Sequence, residues 1–198
     1  MFAKIFKTDG GSVNKLENAV LLAIKYHNGE YRKGKVNGQS IPYIIHPINV
    51  MEAVWVWGAG TEVTLSASVT HDIKENTAIK HEELEFEIGK EAADIVTELT
   101  YEGGKEQKKE YMRTFHTSSI DALIIEIADR LDNVKGFMLT QPDYAQKYFD
   151  KAVDLFGALM SRLDEIKEKY GEQTSKNIVD SYISVQISLS ILETNKER

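Results

Sequence analysis

The chain has 198 residues, of which 42% are hydrophobic and 28% charged, and a formal net charge of −7. These values belong to a folded globular chain with room for one domain and a substantial core, and they exclude a disordered one. The acidic balance excludes general binding to a nucleic-acid backbone, no apolar run reaches the length of a bilayer span, and the absence of Cys excludes disulfides and thiolate metal sites.

The N-terminal MFAKIFKTDGG lacks the long apolar region of a secretion signal, which together with the missing Cys favours the cytoplasm. SVNKLENAVLLAIKYHNG places Leu16, Val20, Ala23, Ile24 and His27 at helical spacing, with Ser12 as its N-cap and Gly29 as its stop. A basic cluster, YRKGK (Tyr31 to Lys35), follows as a turn that can hold a small anion. NGQSIPYIIHP reads as a loop, punctuated by Gly38, Pro42 and Pro47. A helix beginning near Pro47 carries INVMEAVWVW and stops at Gly58 or Gly60. Thr61 caps the next helix, with Thr64 three residues on.

That helix runs through TLSASVTHDIKENT and carries His71, Asp72, Glu75 and Asn76. KHEELEFEIG and KEAADIVTELT form two helices split at Gly89, and YEGGKEQ forms a turn or loop. Ile120, Leu123, Ile124, Ile127, Leu131 and Val134 define a strong helix. Pro142 opens a further helix through DYAQKYFDKAVDLFGALMSRLDEI. YISVQISLSIL alternates like a strand, but its neighbours are helical and no partner strand is evident, so it reads as helix. The expected fold is all-α, a single domain over 1–198, with its core at about 12–157 and C-terminal helices over 158–198.

Four positions carry candidate chemistry: His46 in YIIHP, His71 and Asp72 in THDIKEN, and Asp129 in IEIADRLDN. Each lies in or beside an apolar segment and is expected to face inward. A buried polar group costs free energy unless it is paired or bound. Any one of the four has an ordinary structural explanation, as a satisfied core His or a capping Asp. Together, two imidazoles and two carboxylates form a mixed nitrogen and oxygen set suited to manganese, iron or zinc, and manganese or another divalent ion is favoured over a structural zinc. His27 is expected to pack near its helix end, and His81 and His116 to be solvated. Asn133 follows Asp129 by four residues and shares its helix face.

The order His, His-Asp, Asp resembles the signature of the HD-domain metal-dependent phosphohydrolases. AIKYHNGEYRKGK…IPYIIHPINV, SASVTHDIKENT, EIGKEAADIVTELT and IEIADRLDNVKGF are similar to successive blocks of the hydrolase domain of the RelA/SpoT homologues, of the small alarmone hydrolase type. The resemblance runs from about Ala19 to about Phe156. It implies a helical HD domain whose manganese ligands are His46, His71, Asp72 and Asp129, with Arg32, Lys33, Asn133 and Tyr148 about the bound nucleotide. Lys135 stands where the family often has Arg; it keeps the charge and lacks the guanidinium fork. The implied reaction removes the 3′-pyrophosphate of ppGpp, pppGpp or an adenosine analogue, through attack of water assisted by the metal.

One departure bears on the reaction. The family's Glu-Asp pair is Glu75-Asn76 in this chain. An Asn can orient a water but cannot accept its proton, which leaves Glu75 as the remaining carboxylate. Two other readings therefore stand beside alarmone hydrolysis: a phosphatase acting on another nucleotide such as NADPH, and a weakened, alarmone-binding module. The expected partner in all three is a small anionic nucleotide, not nucleic acid or membrane. The sequence does not specify an oligomeric state.

Overall fold

The computed structural model describes residues 14–104 and 107–196. Ser12 and the N-terminal stretch read for targeting lie outside the described residues. The first helix, α1 (Lys15–Tyr26), is instead capped by Asn14, whose side chain accepts from the Leu16 N–H. Its buried face is Leu16, Ala19, Leu22 and Ala23, while Ile24, expected on that face, is 49% exposed. The chain leaves the helix at His27, before Gly29.

The segments read as turn and loop form an antiparallel hairpin, β1 (Tyr31–Val36) and β2 (Gln39–Pro42). Its two-residue connection is Asn37-Gly38, both at positive φ (51° and 78°), the backbone that matches the twist of the flanking strands. The pairing is irregular between Tyr31 and Lys35. There Gly34, at φ +90°, lies against Thr140, and a Cβ on it would sit 2.6 Å from the Thr140 Cβ. Glycine thus lets the hairpin press onto the end of a long helix.

Helix α2 (Ile45–Trp57) starts two residues before Pro47 and ends at Gly58, which is left-handed at φ 101°. Helix α3 (Glu62–Thr70) opens on the reciprocal pair Thr61 and Thr64, each side chain bonding the other's backbone N–H. It does not continue through the His-Asp pair. His71 and Asp72 form a turn, and a short α4 (Ile73–Asn76) follows. Helices α5 (His81–Ile88) and α6 (Lys90–Leu99) divide at Gly89, as the sequence suggests. Helix α7 (Lys108–Thr114) precedes the central α8 (Ile120–Thr140), capped by Ser119 onto the Ala122 N–H.

The single helix expected after Pro142 is three: α9 (Pro142–Asp150), α10 (Val153–Ser161) and α11 (Leu163–Tyr170). The second break falls at Arg162, whose buried guanidinium donates 2.9 Å bonds to the carbonyls of Phe115 and Ser118 and also holds Glu165. Holding those three acceptors fixes the Arg162 backbone away from helix, at φ −117°. Helix α12 (Glu172–Lys196) absorbs the alternating YISVQISLSIL. Ile178, Val185 and Leu189 bury one side of it, while Ile183, Ile187 and Ile191 stay exposed.

The fold is helical around α8, which α2, α9, α10 and α12 contact from several sides and the hairpin meets near its end. Such enclosure explains why α8 is buried along most of its length from Ile120 to Val134, chiefly through Ile, Leu, Ala and Val. No described helix is long and apolar enough to cross a membrane. The polar residues of α8 are therefore the exceptions that need an account.

Candidate metal centre

The first turn of α2 presents His46, the turn after α3 presents His71 and Asp72, and the middle of α8 presents Asp129. These separate elements bring four side chains to one point. His46 Nε2 lies 2.9 Å from Asp129 Oδ1 and 3.5 Å from Asp72 Oδ2. His71 Nε2 lies 3.3 Å from Asp72 Oδ2 and 3.6 Å from Asp129 Oδ1. The ligating atoms of His46, His71 and Asp72 fall within 4.8 Å of one another.

Both imidazoles are fixed through their other nitrogen. His46 Nδ1 bonds Asp132 Oδ2 at 2.6 Å, and His71 Nδ1 donates to the Ser68 carbonyl at 2.8 Å. That arrangement turns each Nε2 toward the cluster, as metal-binding imidazoles require. His71 Nε2 is buried and makes no hydrogen bond among the described residues. A buried nitrogen without a bond, beside a second imidazole and two carboxylates, fits a divalent cation.

The electrostatics agree. Burial opposes charge on His46, but bonds to Asp129 and Asp132 lift it above the ordinary imidazole value. Burial likewise opposes charge on His71, and the Asp72 carboxylate overcomes it. Burial would raise Asp72, yet His71 brings it down to about 2, and the two imidazoles hold Asp129 well below the carboxylate range. A carboxylate field that favours two imidazolium protons also favours a divalent cation in their place.

Three of the four, His71, Asp72 and Asp129, line a cavity of about 410 Å³, with His46 behind them. Arg32, Lys33, Asn133 and Tyr148 all line it, as does Glu75. Lys135 does not. It is exposed and lies about 200° around α8 from Asn133. Next to it, Gly136 faces Arg32, and a Cβ there would come 2.7 Å from the guanidinium. The Asn133 amide donates to Asp129 Oδ1 at 2.6 Å and accepts from Arg32 Nη2 at 3.1 Å. Glu75 accepts from the Tyr101 N–H at 2.7 Å; burial, aided by the Asp72 charge, raises its carboxyl. The side chain of Asn76 lies outside the described residues.

Several contributors have no sequence signal of their own. Tyr43 donates to Asp72 Oδ2 at 2.5 Å, and burial with that carboxylate raises its phenol. Glu126 is buried in the cavity wall with Tyr111 and Arg130 as partners, and burial beside Asp129 pushes it up to about 7. Arg130 lies over the Tyr148 ring, 4.5 Å from its centre. Only the i,i+3 spacing of Glu126, Asp129 and Asp132 on α8 hints that these three share a face. His27 is buried as expected and bonded to Glu30 at 2.8 Å; His116 is exposed, while His81 is half-buried against Thr97 and Asp94 rather than solvated.

Residues 19–166 match the family model described as HD domain. The chain belongs to the HD-domain family. It is 28% identical to the guanosine-3′,5′-bis(diphosphate) 3′-pyrophosphohydrolase of Spiroplasma citri, over 98% of this chain and 27% of the relative. It is 27% identical to the bifunctional (p)ppGpp synthase/hydrolase SpoT of Escherichia coli, over 76% of this chain and 22% of the relative. The chain thus spans about a quarter of the length of these bacterial relatives. With the guanosine-3′,5′-bis(diphosphate) 3′-pyrophosphohydrolase of Drosophila melanogaster it shares 29% identity, over 73% of this chain and 88% of that one. The solved structure of a metazoan ortholog of SpoT that hydrolyzes ppGpp superimposes with a TM-score of 0.72 at 24% identity, covering 91% of this chain and 99% of the other, and so shares the fold.

Proposed function

We propose that the chain is a manganese-dependent phosphohydrolase that releases pyrophosphate from the 3′ position of guanosine polyphosphate alarmones, working in the cytoplasm as one HD domain over 1–198. The observation that carries this reading is the convergence of His46, His71, Asp72 and Asp129 beneath a cavity edged by Arg32 and Lys33. The names of the bacterial and insect relatives supply the substrate class.

His46, His71, Asp72 and Asp129 would hold the ion, which when bound supplies Lewis-acid polarisation of a phosphoryl oxygen and a water of lowered pKa. The chain's own residues do the remaining work. Arg32 and Lys33 supply positive charge at the cavity edge, where a polyphosphate chain needs it. Asn133 and Tyr43 keep Asp129 and Asp72 in fixed orientations. Glu75, a carboxylate in the cavity lining whose pKa burial raises, is suited to accept a proton from the attacking water, with general-base help worth roughly a hundred- to ten-thousand-fold in rate.

Asn76 favours a second reading, a module that binds the alarmone and turns it over slowly, because the second carboxylate of the family pair is missing. A nucleotide panel separates alarmone hydrolysis from action on another nucleotide. Manganese-loaded protein is incubated with ppGpp, pppGpp, their adenosine analogues and NADPH, and phosphate and pyrophosphate are measured separately. Alarmone hydrolysis predicts pyrophosphate from the 3′,5′-polyphosphates only. Phosphate released from NADPH alone would contradict it.

A further inference from the structure

The Asp132 carboxylate lies where the metal cluster meets the cation at the cavity edge. Its Oδ2 accepts from His46 Nδ1 at 2.6 Å and from Arg32 Nη1 at 3.2 Å, and its Oδ1 accepts from Asn49 Nδ2 at 2.9 Å. Arg32 also donates to Asn133, Asn133 donates to Asp129, and Asp129 faces His46. The side chains of His46, Asp132, Arg32, Asn133 and Asp129 therefore close a ring of contacts. Two corners of that ring are metal-ligand candidates, and a third is the cation at the cavity edge.

The ring is built from parts distant in sequence. Arg32 stands on β1, His46 on α2, and Asp129, Asp132 and Asn133 on α8. Gly136, one turn beyond Asp132, leaves no side chain where the guanidinium must pass. A carboxylate has about four acceptor sites, and Asp132 uses three of them on His, Arg and Asn donors. Such a carboxylate on the far nitrogen of an imidazole selects the tautomer, fixes the ring and strengthens its other nitrogen as a donor.

We propose that Asp132 is a positioning residue that holds His46 Nε2 toward the metal and pins Arg32 at the cavity edge, so that metal affinity and anion affinity depend on one carboxylate. This rests on reading His46, His71, Asp72 and Asp129 as the metal ligands. It adds that the metal centre and the cationic edge are coupled through one named side chain.

The test uses binding, not turnover. Mn2+ is titrated calorimetrically into the full-length metal-free wild type, Asp132→Asn and Asp132→Ala at one pH, with circular dichroism recorded on each. Inorganic pyrophosphate is then titrated at saturating Mn2+. Asp132→Asn keeps the size and an acceptor oxygen, so it retains the fold if the Ala variant does not. The expected result is Mn2+ affinity weakened about tenfold in Asp132→Asn and roughly ten- to a hundredfold in Asp132→Ala. Pyrophosphate affinity is expected to fall about fivefold or more, the scale of a typical coupling between two sites. A wild type that binds no Mn2+ overturns the metal assignment and this inference with it. Mn2+ affinity within about twofold of a metal-binding wild type in both variants overturns this inference alone. A fall in Mn2+ affinity with pyrophosphate affinity unchanged overturns the link to Arg32.

Discussion

At the scale of single residues, the metal cluster makes its own prediction. Removing His71 or Asp129 takes a donor from a set in which every member faces another. His71→Ala and Asp129→Ala are each expected to lose stoichiometric Mn2+ while keeping a helical circular dichroism spectrum; unchanged metal content in both would refute the assignment. Asn76→Asp restores a carboxylate beside Glu75 and is expected to raise turnover by about a hundredfold if the missing base limits the rate. A variant no faster than wild type would show that Glu75 already suffices or that chemistry is not limiting. The four residues that converge were conspicuous in the sequence because His and Asp stand out in apolar segments such as TLSASVTHD. Asp132 and Tyr43 were not, because each acts through a partner 86 or 29 positions away, and only the folded chain makes those pairs.

Among the elements, the hairpin is the main departure from the sequence reading, and it carries Arg32. Its strands show no alternation of apolar and polar residues, since both faces are largely exposed, so the strand signal is absent. The Asn37-Gly38 pair was the available clue, and it specifies the turn. The hairpin is held to α8 through Gly34 against Thr140. Gly34→Ala forces both a strained φ and a collision with the Thr140 side chain. It is expected to cost about 1–3 kcal/mol, read as a lower melting temperature, and to weaken pyrophosphate binding by displacing Arg32. A melting temperature equal to wild type would show that the hairpin docks elsewhere. Helices were legible where caps and glycines mark them, as at Thr61, Gly58 and Gly89. The break at Arg162 was not, because it depends on carbonyls more than forty residues earlier in the chain.

For the molecule as a whole, the buried charges fix how stability responds to pH. Asp72 and Asp129 have folded values below their unfolded ones, so they stabilise above about pH 4 and lose that contribution as pH falls through their folded values. His46 and His71 have raised folded values, so their contribution is complete below about pH 6.5 and is lost as pH rises through those values. The metal-free protein is therefore expected to melt highest between about pH 4 and 6.5 as far as this cluster decides it. Mn2+ requires deprotonated imidazoles, so the melting temperature it adds should be larger at pH 8 than at pH 5. The reverse order would contradict the ligand set. Whether this cluster drives removal of a 3′-pyrophosphate is tested most directly by the product of ppGpp incubated with the manganese-loaded chain. Equal amounts of GDP and pyrophosphate, absent after chelation and absent with His71→Ala, are the predicted result. Intact ppGpp in the presence of fully metal-loaded wild type and of Asn76→Asp alike would contradict it.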